Sequence, residues 1–158
     1  GHIFELLAKD LIHCTDRTVS TNRSLRSQEI NGLSLGNLQV DVHIEKNGSI
    51  ESLCECKTYL DSCYLKRAIF DFNQLCLSPD VSSIKKLGIF TGQISVADVT
   101  RVFTLDLARQ LTGIDVEIFV VNTTKKRNSK KQLCDPEFAS LFHLDIAELQ
   151  RYIDWVQE

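Results

Sequence analysis

The chain has 158 residues, which suits a single domain at roughly 150 residues per domain and suffices to bury a core without disulfides or a structural metal. Hydrophobic residues make up 43% and charged residues 25%, as in ordinary globular proteins, and no apolar run reaches the roughly 18 residues of a membrane span. A net charge of −3 excludes a uniformly basic coating surface and leaves room only for a local basic patch.

From the first residues onward, Ile3, Phe4, Leu7, Leu11 and Ile12 recur at helical spacing, predicting an amphipathic helix over Ile3 to His13. Thr15 to Gly36 is polar, carries Arg17, Arg23 and Arg26, and gives weak strand signals. Gln39 to Glu45 reads as a strand, Lys46-Asn47-Gly48 as a turn, and Ser49 to Lys57 as a second strand. Leu65, Ile69, Phe72, Leu75 and Cys76 predict a helix over Cys63 to Leu77, stopped by Ser78-Pro79-Asp80. Leu87 to Phe90 reads as a buried strand ending at Thr91-Gly92. Ser95 to Leu111 reads as a helix with Val99, Val102, Phe103 and Leu107 inward and Gly113 as its stop. Val116 to Val121 is a further strand. A basic loop, Lys125, Lys126, Arg127, Lys130 and Lys131, then precedes a closing helix from Pro136 to about Gln157.

Strands alternating with helices predict an α/β domain whose mixed sheet carries helices on both faces. There is no internal repeat, and one domain is expected over residues 1–158. The six cysteines form no C-x-x-C pair and no zinc-ligand spacing, so reduced thiols are expected. With no leader pattern visible, the expected location is the cytoplasm, with no membrane partner. The sequons at Asn22, Asn47 and Asn122 carry no secretory meaning in that setting.

The turn decides which side chains share a face. A two-residue Asn47-Gly48 loop pairs Lys46 with Ser49, whereas a three-residue loop with Gly48 left-handed pairs Ile44 with Ile50 and Val40 with Cys54. The second register places Val40, Val42, Ile44, Ile50, Cys54 and Cys56 on one apolar face, as a buried sheet demands. It gathers Gln39, Asp41, His43, Glu51, Leu53, Glu55 and Lys57 on the other. Two carboxylates and a lysine under a helix are costly unless paired or bound to a cation.

Asp41 followed by Glu55-Cys56-Lys57 resembles the D…E-x-K signature of the PD-(D/E)xK nucleases. Gly1-His2-Ile3-Phe4-Glu5 resembles the G-x-x-F-E opening of Mrr-like restriction endonucleases and Holliday-junction resolvases. Gly88 to Gly92, a helix, and Val116 to Val121 are similar to the later part of that core. The likeness spans roughly residues 1–122, with the basic loop and last helix, 123–158, outside it. It implies a restriction-endonuclease-like fold and a Mg²⁺-dependent endonuclease, with Mn²⁺ substituting. It further implies a nucleic-acid substrate, DNA rather than RNA, and a place in restriction or antiphage defence.

Mg²⁺ takes oxygen ligands and keeps several waters, so two carboxylates suffice to hold it. On that reading Asp41 and Glu55 are metal ligands, with the Cys56 carbonyl a third, and Lys57 orients the attacking water or stabilises charge on phosphate. By the resemblance, Glu5 reaches the site from the first helix. Gln74 is a further candidate for touching water or phosphate. The plain alternative is a solvated strand face with Lys57 as an ion partner and Glu5 on the polar side of a helix. His43 shares the face but reads as a packed or exposed histidine. The basic loop reads either as a solvated connector or as a phosphate clamp.

Gly32-Leu33-Ser34-Leu35-Gly36 matches a nucleophile elbow in letters, but a strand rather than a helix is expected after it. The competing function is an inactive nuclease-fold module binding nucleic acid or a protein partner, and the intact Asp41, Glu55 and Lys57 set argues against it. A homodimer, or a place in a larger multidomain protein, is compatible with the chain.

Overall fold

A computed structural model of the chain describes residues 2–81, 84–123 and 142–158. The basic run Lys125 to Lys131 and Pro136 lie outside the described residues, and the closing helix begins only at Ile146, because Leu144 bridges Asn122 and Asp145 caps the helix start. In chain order the elements are α1 (His2–Ile12), β1 (Thr18–Arg26), β2 (Glu29–Ile30), β3 (Leu33–Ser34), β4 (Asn37–Lys46) and β5 (Ser49–Leu60). They continue as α2 (Ser62–Cys76), β6 (Lys86–Ile94), α3 (Asp98–Thr112), β7 (Asp115–Val120) and α4 (Ile146–Gln157). The weakly patterned stretch after α1 is thus strand β1 and a small β2–β3 hairpin.

Five strands form one mixed sheet in the order β1-β4-β5-β6-β7, antiparallel through β5 and parallel beyond it. Both parallel connections pass through a helix, as parallel neighbours require. Leu65, Ala68, Ile69, Phe72 and Leu75 of α2 and Ala108 of α3 cover one face with Leu53, Leu87 and Ile89. On the other face, Phe4, Ala8 and Ile12 of α1 and Leu149, Tyr152 and Trp155 of α4 cover Cys54, Cys56, Phe90 and Phe119. The fold is therefore α/β, three layers with helices on both faces of a mixed sheet.

Local chemistry sets the helix ends. Asp61 accepts the Tyr64 N–H at 2.8 Å and opens α2, while Asp145 accepts from Ala147 and Glu148 and opens α4. Gly113, left-handed at φ 69°, closes α3 by donating to Arg109 O at 2.7 Å. In α1 the buried residues are Phe4, Glu5, Ala8 and Ile12, and the expected inward Ile3 is exposed.

Strand β6 does not stop at Thr91-Gly92 but continues to Ile94, paired with β5 throughout. Gly92 serves close approach rather than a turn: a Cβ there would lie 2.6 Å from the Phe4 ring and 2.8 Å from Thr58 O. In α3 the expectation fails more fully. Val99, Val102, Phe103 and Leu107 face solvent, with Val99 81% and Phe103 69% exposed, whereas Thr104 and Ala108 are buried. Small residues let the helix lie close to the layer beneath it. The apolar stripe has the expected period and the opposite orientation.

The β4–β5 hairpin also departs from its expected register. Asn47 and Gly48, at φ 53° and 77°, make a two-residue turn with both centres left-handed, pairing Lys46 with Ser49. Gly48 is left-handed as expected, but a β-bulge then shifts the ladder between Ile44 and Glu45. Val42 therefore lies opposite Cys54, where Val40 was expected. Ile50 consequently joins the α2 side of the core instead of sharing the face of Val42 and Ile44. Val40 changes sides too. It packs with Leu25 under α2, while Val42 and Val19, of the same strand parity, pack under α1. The β1–β4 ribbon thus swaps faces between Val42 and Val40, opposite Asn22, whose φ is 55°.

Candidate active site

Beyond the Val42–Cys54 pair, β4 and β5 cease to pair with each other. Strand β4 continues against β1 to Asn37, and β5 continues against β6 to Leu60. A notch opens between two otherwise fully paired strands. Such a split exposes backbone donors that need new partners.

Asp41 fills that need. Its Oδ2 accepts the Cys56 N–H at 2.8 Å, a charge-assisted bond across the notch. Glu55 and Lys57 project from β5 on the face away from the Cys54 and Cys56 thiols, as strand alternation requires. Lys57 Nζ donates to Glu55 Oε1 and lies 4.0 Å from Asp41 Oδ2. The three expected side chains therefore meet, at the mouth of the notch, in a partly buried ion cluster.

Burial is the main cause that raises the Glu55 carboxyl above its usual range, and repulsion from Asp41 adds to it while Lys57 opposes. Helix α2 contributes another acid that sequence reasoning missed. Asp71, half-buried and 3.7 Å from Arg67, is raised by burial and feels the Lys57 ammonium. Its signal was weak, since an acid flanking an apolar helical stripe is ordinary surface chemistry. Gln74, one turn further along the same helix, forms no side-chain hydrogen bond with Asp41, Glu55 or Lys57.

Cys56 participates through its backbone. Its thiol is buried on the opposite face, where the Cys54 thiol and burial push it well up, so it is no thiolate ligand. Among the described residues, Cys14, Cys54, Cys56, Cys63 and Cys76 are free thiols. No group of three or more His, Cys, Asp and Glu side chains among the described residues is arranged to hold a metal ion. Glu5 accordingly does not join the carboxylate pair directly. It is nearly buried, its Oε1 accepting from Asn22 Nδ2 at 3.0 Å and its Oε2 3.5 Å from His2 Nδ1. Asn22 Oδ1 in turn accepts from Gln39 Nε2 at 3.0 Å. Asn22 was missed because nothing local marks an asparagine inside a polar strand.

His43 is fully buried, and neither ring nitrogen has a hydrogen-bond partner by geometry, so it is a packed histidine. Burial pushes its imidazole down, with a backbone group of Ser20 opposing. Ser34 is no nucleophile elbow. It lies in the β2–β3 hairpin, its Oγ 3.1 Å from Ser27 Oγ and accepting from Gly36 N, and strand β4 follows.

No protein-family model matches the chain, and no curated protein does. Among solved structures, a protein of unknown function, AF1548, is similar at 14% identity with a TM-score of 0.47, over 98% of this chain and 94% of that chain. So distant a likeness carries no argument about chemistry, and the geometry of the site must bear it. No helix among the described residues is long and apolar enough to cross a membrane.

Proposed function

We propose that this domain is a metal-dependent nuclease of the PD-(D/E)xK type, hydrolysing phosphodiester bonds with Asp41, Glu55 and Lys57. The observation that carries the reading is the meeting of these three side chains at the notch, where β4 and β5 part. Asp41 comes from one strand and the other two from its neighbour.

The residues fit a divalent cation. A desolvated carboxylate held against a second one is a charge arrangement that a cation relieves. Asp41 and Glu55 would hold Mg²⁺, or Mn²⁺ in its place, with the Cys56 carbonyl as a third oxygen and the rest water or phosphate. When bound, the ion would supply Lewis-acid stabilisation and acidify a water.

Asp41, fixed by the Cys56 amide, keeps its remaining lone pairs aimed from a rigid strand. Lys57 holds an ammonium within reach of both carboxylates, placed to steady negative charge developing on a phosphate oxygen. Its present partner, Glu55, would release it on turning to a cation. Asp71 on α2 sets a further negative charge near Lys57.

The resemblance favours DNA over RNA as substrate and a role in restriction or antiphage defence, and the free thiols favour a cytoplasmic setting. Lys125, Lys126, Arg127, Lys130 and Lys131 are proposed phosphate contacts. The test is a panel of plasmid, linear, single-stranded and branched DNA and RNA substrates with Mg²⁺ or Mn²⁺, beside Asp41→Asn. Metal-dependent cleavage by the wild type alone supports the reading. Binding without cleavage on every substrate would instead favour an inactive module.

A further inference from the structure

We infer that the outward face of α3 is a self-association surface, on which α3 of a second copy of this chain lies antiparallel over Val99, Val102, Phe103 and Leu107. The inference is independent of the nuclease reading. Thr104 and Ala108 face the core, while Val99, Val102, Phe103, Leu107 and Leu111 point outward, none less than 42% exposed. A helix that covers its own sheet with small residues normally carries polar side chains on the solvent side. Here Val99, Phe103, Leu107 and Leu111 recur every four residues, forming one ridge about 18 Å long at 1.5 Å per residue. Scattered apolar side chains are ordinary on a surface, whereas a contiguous ridge marks an interaction site. Ridges of this spacing are the shape that packs into the groove of another helix.

The charges choose the occupant. Along α3 they run Asp98, Arg101, Asp106, Arg109, acid and base in alternation. In the opposite direction the series becomes base, acid, base, acid. A two-fold axis level with the midpoint of Phe103 and Thr104 therefore sets each acid level with a base of the second copy, Asp98 with Arg109 and Arg101 with Asp106. Asp98 and Arg109 are eleven residues apart, about three turns, so they lie on the same flank of the ridge, beside Val102. The same axis brings Phe103 beside its own symmetry mate and Val99 beside Leu107. A parallel pair would instead set every charge against its own like. Within one copy Arg101 lies 3.2 Å from Asp98 and Arg109 3.5 Å from Asp106, so the four charges are already paired in the monomer. Rim charges of this kind fix orientation more than affinity. One helix from each copy makes an interface at the small end, below about 1,200 Å² in total, so the association is weak and reversible.

The test is sedimentation equilibrium of the full chain from about 1 μM to about 1 mM, a range that brackets weak self-association. The wild type should pass from the monomer mass towards the dimer mass as concentration rises. Phe103→Asp and Val99→Asp should each weaken the dimer by about 10-fold or more, as loss of a central interface contact does. Both positions are solvent-facing in the monomer, so the urea midpoint of dilute protein should stay at the wild-type value. Arg109→Glu should weaken the dimer by setting a second acid against Asp98. The double variant Asp98→Arg/Arg109→Glu exchanges the two charges and should recover what Arg109→Glu loses.

A wild type that stays monomeric up to about 1 mM overturns the self-pairing and assigns the ridge to a different protein. A dimer that either apolar variant leaves intact overturns α3 as its interface. A double variant that recovers nothing overturns the antiparallel arrangement. Asp41→Asn should dimerise as the wild type does, so loss of cleavage and loss of self-association are read separately.

Discussion

The Cys56 backbone N–H donates to Asp41 Oδ2 at 2.8 Å, across the gap where β4 and β5 stop pairing. One bond thus substitutes for a lost ladder contact and fixes the carboxylate on which the proposed chemistry depends. Asp41→Asn retains an amide oxygen able to accept that N–H, so stability should change by no more than about 1 kcal/mol. Mn²⁺ binding and DNA cleavage should nevertheless fall together, because the ligand's negative charge is gone. Calorimetry and cleavage assays on one preparation check both halves, and intact metal binding in the variant would remove Asp41 from the ligand set.

Lys57→Ala separates binding from turnover. Both carboxylates survive, so Mn²⁺ should still bind, while cleavage should drop on the order of 10²–10³-fold, as when one preorganised electrostatic group is removed. DNA binding should survive better than cleavage, since the transition state gains most from the ammonium. Equal cleavage by the two proteins would reduce Lys57 to an ion partner of Glu55.

The raised Glu55 carboxyl gives two pH dependences. For an acid whose folded pKa exceeds its unfolded value, the folded state binds more protons between the two. Without metal, the Glu55 contribution to stability is therefore full below the unfolded pKa and is lost as pH rises through the folded one. Divalent binding runs the other way, weakening as pH falls through the same raised pKa, because proton and cation compete for the carboxylate. Denaturation curves across mildly acidic pH should show the first slope in the wild type and not in Glu55→Gln.

His43 predicts an acid limit of stability. Its folded pKa is depressed by burial, so below about 6.5, the ordinary imidazole value, the unfolded chain takes a proton that the folded one refuses. Stability should fall as pH drops through that window, down to the folded pKa. His43→Leu leaves no orphaned ring nitrogen in the sheet and should flatten the slope without loss at pH 7. A slope unchanged in that variant would assign it to other groups.

Helix α3 can be tested through aromatic residues of equal size. Phe103 on α3 is largely exposed and Phe72 on α2 is buried against the sheet, so Phe103→Ala should cost within about 0.5 kcal/mol and Phe72→Ala about 3–5 kcal/mol. Urea denaturation of the two variants measures the difference. Comparable losses would put the Phe103 stripe in the core after all.

Much of the site is legible before folding because its information is local. Glu55 and Lys57 are two residues apart, so any strand there aims them to one side. The Asn47-Gly48 turn demands that the preceding strand fold back on them. Asp41 meets them even though the register differs from expectation, because the ladder parts beyond Val42–Cys54 and the Asp41 carboxylate bonds the Cys56 N–H across the gap. The helix pattern and the α/β layering are legible for the same reason, periodicity being a property of neighbours in the chain.

Only tertiary structure decides what each patterned face meets. Nothing in the letters of Ser49 to Leu60 marks the bulge that sends Ile50 to the other side of the sheet. The stripe of Val99, Val102, Phe103 and Leu107 has the right period, yet the small Thr104 and Ala108 pack closer and take the buried side. Asn22 is the sharpest case. Its left-handed backbone, its grip on Glu5 and its place opposite Asp41 arise from contacts among α1, β1 and β4, elements whose approach no local pattern encodes. Short-range preferences set which residues share a side, and long-range packing sets which sides are joined.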